Sequence, residues 1–193
     1  RLAAPLLALQ QGYSPAAVGV LLALYALSPV FLALPAGRLA DRVGLQLPVR
    51  MAVAAAVLGA GLATVWPIFP VLCLSAMLTG AAAGTTQIAM QRHVGRSATN
   101  NDELKTLFSW IAIAPPAANF LGPLGCGLLI DLAGPTPAHL TGFRAAFGLM
   151  ALLPVLGWLL ARRAPEAPLA ASAHAAEEHR SVWDLLALPG VRL

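Results

Sequence analysis

Long runs of Ala, Leu, Val and Gly alternate along the chain with short polar segments, and most of the runs are long enough to cross a bilayer as helices. The pattern predicts six spans, at about 1–12, 15–36, 49–66, 71–91, 106–132 and 143–161. Ser14-Pro15 supplies a helix N-cap followed by proline at the first helical position. Trp66-Pro67-Ile68-Phe69-Pro70 reads as a tight aromatic turn, and indole rings favour the interface, so Trp66 marks one membrane surface. Pro115-Pro116 falls inside the fifth span. Two missing donors there predict a kink, tolerable in lipid only where neighbours cover the freed carbonyls. The first run opens in mid-pattern. If it leaves the bilayer near Gly12, eleven residues at ~1.5 Å each place Arg1 about 16 Å deep, so the first helix is expected to be truncated.

Composition agrees with a membrane protein: 59% of the residues are apolar and 10% charged, with a mean hydropathy of +0.76. A formal charge of +4 would suggest nucleic acid for a soluble chain, but the placement of the charges changes that reading. Loops alternate sides, and ten of the twelve Lys and Arg residues fall on one face: Arg38, Arg42, Arg50, Arg92, Arg96, Lys105, Arg162, Arg163, Arg180 and Arg192. Arg144 alone lies on the other face. By the positive-inside rule the basic face is cytoplasmic, so the basic balance reports orientation and no nucleic-acid partner is expected. Cys73 and Cys126 lie within apolar runs and carry no disulfide or metal signal.

The patch Gly37-Arg38-Leu39-Ala40-Asp41-Arg42-Val43-Gly44, between the second and third spans, contains more than orientation requires, since acidic residues add little to that signal. It resembles the loop signature G-x-x-x-D-R-x-G of the major facilitator superfamily, with Gly37, Asp41, Arg42 and Gly44 matching. Leu45 and Gln46 stand where the family usually carries basic residues. Physically, Gly37 would let another helix approach closely, and Asp41 would be favoured by a nearby helix N-terminus. A second resemblance lies in the fifth span. Gly122-Pro123-Leu124-Gly125-Cys126-Gly127 is similar to the family's G-P-x-x-G-G exporter signature, with Gly122, Pro123 and Gly127 matching. Small residues there would let helices touch backbone to backbone, and ordinary small-residue packing is the competing account.

The resemblance implies an all-α membrane protein, an MFS-type bundle of about six transmembrane helices built as a 3+3 inverted repeat with the first helix truncated. Residues 1–161 would be the N-terminal six-helix half and 162–193 a cytoplasmic linker toward a missing C-terminal six-helix half. In that linker, Ser181-Val182-Trp183-Asp184 resembles a capping box opening a short helix through Leu188. The implied function is secondary active transport of a small molecule by alternating access, with ion-coupled export as an antiporter favoured by the Gly122-Pro123 motif and a proton as coupling ion. Uptake of a small metabolite is the alternative, and a non-transporting helical membrane subunit is the rival from another class. The expected location is the bacterial cytoplasmic (inner) membrane, as an integral multi-pass protein.

Polar groups deep within spans are the substrate-path candidates: Arg1, because a charge at depth is functional by default, then Tyr25, Gln87 and Asn119. The spans contain no Asp or Glu apart from Asp131 at the outer end of the fifth, so a proton-coupling carboxylate must be Asp131 or lie elsewhere. Gly80-Ala81-Ala82-Ala83-Gly84-Thr85-Thr86 lacks the lysine and spacing of a phosphate loop and reads as a small-xxx-small packing face. The stretch LSAMLTG before it has no Arg, where such exporters often carry one. His93, His139, His174 and His179 form no ligand cluster, and no nucleophile, base and acid converge. Neither a metal, a cofactor nor an enzyme is expected.

Overall fold

The computed structural model describes residues 2–98, 100–132 and 139–163. Within them the chain forms six α-helices and no strand: α1 (Ala3–Gln10), α2 (Pro15–Val43), α3 (Gln46–Val65), α4 (Phe69–Ser97), α5 (Asn101–Leu132) and α6 (His139–Ala161). Helices α2 to α6 are each long and apolar enough to cross a membrane, whereas α1, at 8 residues, is too short. The all-α bundle is therefore as expected. The expected linker, with its short helix from Ser181, lies outside the described residues.

Helix α4 is the hub, packing against α2 on one side and α3 on another; α3 also packs against α6. Short α1 closes the outer part of the bundle, where Leu7 and Ala8 are buried with Leu21, Leu72 and Phe147. Ser14 caps α2 as its sequence requires, its Oγ accepting the Ala17 N–H at 3.3 Å ahead of Pro15 at the first turn. The neighbouring turns are stapled together. Gln11 Nε2 donates to the Pro67 carbonyl at 2.7 Å, and the Tyr13 and Phe69 rings stack with centroids 4.9 Å apart.

The α2–α4 crossing is a backbone-to-backbone contact made by the two glycines read as a packing face. A Cβ at Gly80 would overlap the Tyr25 carbonyl and come within 2.5 Å of Ser28 Oγ, and one at Gly84 would come within 2.5 Å of Pro29 Cβ. Proline at 29 has no N–H for the carbonyl of Tyr25, four residues earlier. Ser28 Oγ donates to that carbonyl instead, at 3.3 Å, and the residue is buried. Gly80 and Gly84 thus accommodate the part of α2 that proline has stripped of a hydrogen bond.

Three expectations need correction. The charged patch after Pro35 is not a loop; helix α2 runs on to Val43, and only Gly44 and Leu45 separate it from α3. Gly44 ends α2 at φ 80°, a conformation glycine adopts without steric cost. Likewise α4 extends to Ser97 and α5 begins at Asn101, so most of the expected loop at 91–106 is helical. At ~1.5 Å per residue, the 29 residues of α2 reach about 43 Å, past a ~30 Å hydrocarbon core into the headgroups. Apolar runs delimit the part of a helix that sits in oil, and polar residues continue the same helix into water.

The second correction concerns Asp41. It lies in the last turn of α2, where the dipole of its own helix does not favour a carboxylate, and its partner is an arginine of another helix. The third concerns α5. This helix is continuous from Asn101 to Leu132 through Pro115, Pro116 and Pro123, yet none of its residues is buried. Its main neighbour is α6.

Candidate functional site

Arg92 on α4 holds Asp41. Its Nη1 donates to Asp41 Oδ2 at 2.7 Å, joining the C-terminal ends of two helices through residues 51 apart in sequence. Gly37, one turn earlier on α2, is buried and faces the same guanidinium: a Cβ there would lie 3.4 Å from Arg92 Nη2 and 3.9 Å from Ile88. The close approach expected at Gly37 is therefore made by an arginine plane and not by a helix backbone. One turn further along α4, Arg96 Nη2 donates to the Ala40 carbonyl at 3.0 Å, while its buried Nε has no partner among the described residues. Arg92 and Arg96, four apart on one helix face, together grip the last turns of α2. Arg42 is exposed, and Gly44 is the helix stop.

On the far side of α3, Gln46 Nε2 donates to the Ala161 carbonyl at 3.2 Å and so caps the last turn of α6. Here the departure from a basic residue has a structural role, since a neutral amide satisfies a helix-end carbonyl. Arg162 follows, its guanidinium carbon 5.9 Å from the Trp158 ring centroid. Within the described residues the inner face is thus tied at two places, α4 to α2 and α3 to α6. Each tie joins one three-helix segment to the other.

Between α3, α4 and α6 lies a partly open cavity of about 490 Å³, lined on the α2 side by Tyr25. It brings together two of the sequence candidates, Tyr25 and Gln87, with Thr79, Thr86 and Trp158. Tyr25 is placed there by the α2–α4 crossing, because its own carbonyl is the atom against which Gly80 packs. Thr79 Oγ1 donates to the Ser75 carbonyl at 2.6 Å, so its proton is committed. The Trp158 indole nitrogen is buried without a partner among the described residues.

Asn119 does not join them. It lines a second cavity, also about 490 Å³, between α1, α5 and α6, with Gly122, Pro123, Gly125 and Cys126. No atom lies within 4 Å of where a Cβ would stand at Gly122, Gly125 or Gly127, so the helix-to-helix contact expected of these glycines is not made among the described residues. Gly122 and Gly125 line this second cavity. Asp131 is exposed at the outer end of α5. Arg1 lies outside the described residues. Among those residues, no three His, Cys, Asp or Glu side chains are grouped to hold a metal ion.

Sequence reasoning missed Arg92, Arg96 and Gln46 as structural partners. A signal existed for the first two: arginines spaced i, i+4 at the polar end of a span are more than orientation demands. Comparison with known proteins matches residues 2–191 to the family described as Major Facilitator Superfamily. No curated protein and no solved structure matches the chain.

Proposed function

The chain belongs to the major facilitator superfamily and is an integral, multi-pass membrane protein of the secondary-transporter class, and from that premise we propose that it works as one half of an exporter exchanging a small molecule for protons. The observation that carries export is the Gly122-Pro123 segment of α5: a small-residue face whose glycines have nothing packed on them among the described residues, bordering a groove at the side of the bundle. Such a face is suited to close contact with another helix, and the proline shapes the segment that makes it. In this reading the second six-helix half packs across this side, and the substrate path runs past Tyr25 and Gln87. Arg1 and Asn119 are the remaining path candidates. The coupling carboxylate is Asp131 or belongs to the second half.

The inner-face residues fit the gating role implied for the Gly37, Asp41, Arg42 and Gly44 motif. Two oxygens of α2's final turns, the Asp41 carboxylate and the Ala40 carbonyl, accept from arginines of α4, and Gly37 faces one of the same arginines. The location proposed is the bacterial cytoplasmic membrane, with the Arg38–Arg50 patch and residues 162–193 on the cytoplasmic side.

Everted vesicles energised with a proton gradient test the direction. A substrate of the exporter accumulates inside them and is released by an uncoupler, whereas a substrate of an uptake permease accumulates in intact cells. Gly122→Leu and Pro123→Leu are expected to abolish accumulation in vesicles with normal amounts of protein inserted in the membrane. Wild-type accumulation by both variants removes the export role of this segment.

A further inference from the structure

The start of α3 and the end of α6 gather three arginines that no ion pair of the bundle uses. The Gln46–Ala161 hydrogen bond holds these two helix ends together. Arg50 follows Gln46 by one helical turn, and Arg162 and Arg163 follow Ala161 directly, so one bond brings all three to the same corner. Each is exposed, and none has a carboxylate partner among the described residues, whose ion pairs are Arg92–Asp41 and Lys105–Asp102. The Trp158 ring beside the Arg162 guanidinium orders it without neutralising it.

From this corner an apolar seam leads into the membrane. On α3, Arg50, Ala54, Val57 and Gly61 recur at i, i+4, i+7 and i+11 and so share one stripe; on α6, Ala151, Val155, Leu159 and Arg162 do the same. None of them lines the cavity between α3, α4 and α6 or the one beside α5, which take their residues from other stripes of these helices. Ala54 and Leu159 are exposed, and no atom lies within 4 Å of where a Cβ would stand at Gly61. The seam therefore faces outward. At ~1.5 Å per residue, Arg50 to Gly61 covers roughly 16 Å, about one leaflet of a ~30 Å hydrocarbon core.

We propose that this corner seats an anionic phospholipid of the cytoplasmic leaflet, its phosphate held by Arg50, Arg162 and Arg163 and an acyl chain lying along the α3–α6 seam. Guanidinium groups match phosphate oxygens in geometry as well as charge, and basic positions between spans on the cytoplasmic side are suited to such headgroups. A zwitterionic lipid would bring its own cation to a corner that already has three. The proposal rests on the cytoplasmic placement of the basic face and not on the direction of transport.

Native mass spectrometry of the full-length protein tests this. Detergent micelles are titrated with dioleoylphosphatidylglycerol or dioleoylphosphatidylcholine, and the occupancy of the first bound lipid is read. The anionic lipid is expected to bind at least fivefold more tightly. Arg50→Gln combined with Arg162→Gln should remove that preference, whereas Arg38→Gln combined with Lys105→Gln, which deletes the same charge elsewhere on the basic face, should keep it within twofold. Gln46→Leu retains all three arginines but releases the two helix ends, and should weaken the anionic lipid at least threefold. Equal binding of the two lipids, an undiminished preference in the Arg50 and Arg162 double variant, an equal loss in the Arg38 and Lys105 double variant, or wild-type binding by Gln46→Leu each overturns the assignment. Proton-driven accumulation in vesicles is measured separately, so the exporter reading stands or falls on its own result.

Discussion

Gly80→Leu is expected to leave the protein unable to assemble a stable bundle, with a loss on the order of 3 kcal/mol or more, at the upper end of overpacking effects. The reason is what the new side chain meets. Even its first carbon would overlap the carbonyl of Tyr25 and crowd Ser28 Oγ, and a carbonyl within a helix cannot swing aside as a side-chain tip can. Helix α2 would have to move off α4, separating the two helices that make the principal packing of the bundle. It would also expose the position where Pro29 leaves Tyr25 dependent on Ser28. Gly61→Leu is the matched control, because no atom lies within 4 Å of that site. The check is the midpoint of thermal aggregation in detergent: a clear fall for Gly80→Leu and little change for Gly61→Leu. Equal midpoints would mean that α2 and α4 do not cross at this glycine.

Asp41→Asn is expected to do the opposite, cutting transport at least tenfold while barely moving stability. The Arg92–Asp41 pair has side chains 52% and 45% exposed, and pairs so open to solvent contribute about 0–1 kcal/mol. A stability role would therefore make a weak phenotype. A role in setting the positions of helix ends would make a strong one, since the neutral amide loses the charge that draws Arg92, leaving the Arg96 contact with Ala40 as the remaining arginine tie at the end of α2. Reversal separates charge pairing from the motif's identity: Asp41→Arg combined with Arg92→Asp should recover part of the transport that either change alone removes. Wild-type rates in Asp41→Asn, measured with normal thermal midpoints, would reduce the pair to a surface contact.

The number and order of the helices were legible because unbroken apolar runs have few other uses. Their ends were not. Arg38, Asp41 and Arg42 look like a loop to any reading based on hydropathy, yet backbone hydrogen bonding is indifferent to whether a helix has entered the headgroups, so α2 continues through them. That single misplacement changed the electrostatic argument for Asp41, from a residue aided by a helix N-terminus to one in a last helical turn that pairs with Arg92. The packing of Gly80 and Gly84 was readable because a four-residue repeat of small side chains has a local geometric meaning. Which helix would fill that face was not. Pairs such as Asp41 with Arg92 or Gln46 with Ala161 depend on tertiary placement across 51 and 115 residues, for which local spacing carries no information. Tyr25 and Gln87 were chosen for depth alone, and their meeting in one cavity reflects the way α2 and α4 cross.

The connection of only Gly44 and Leu45 between α2 and α3 has a mechanical consequence. A joint so short allows little independent travel at the tips it links, so a displacement of the α2 tip carries the base of α3 with it. That base is fastened through Gln46 to the last carbonyl of α6. Force applied at Asp41, the carboxylate partner of Arg92, therefore has a continuous lever across this end of the bundle, running through α2 and α3 to the last turn of α6.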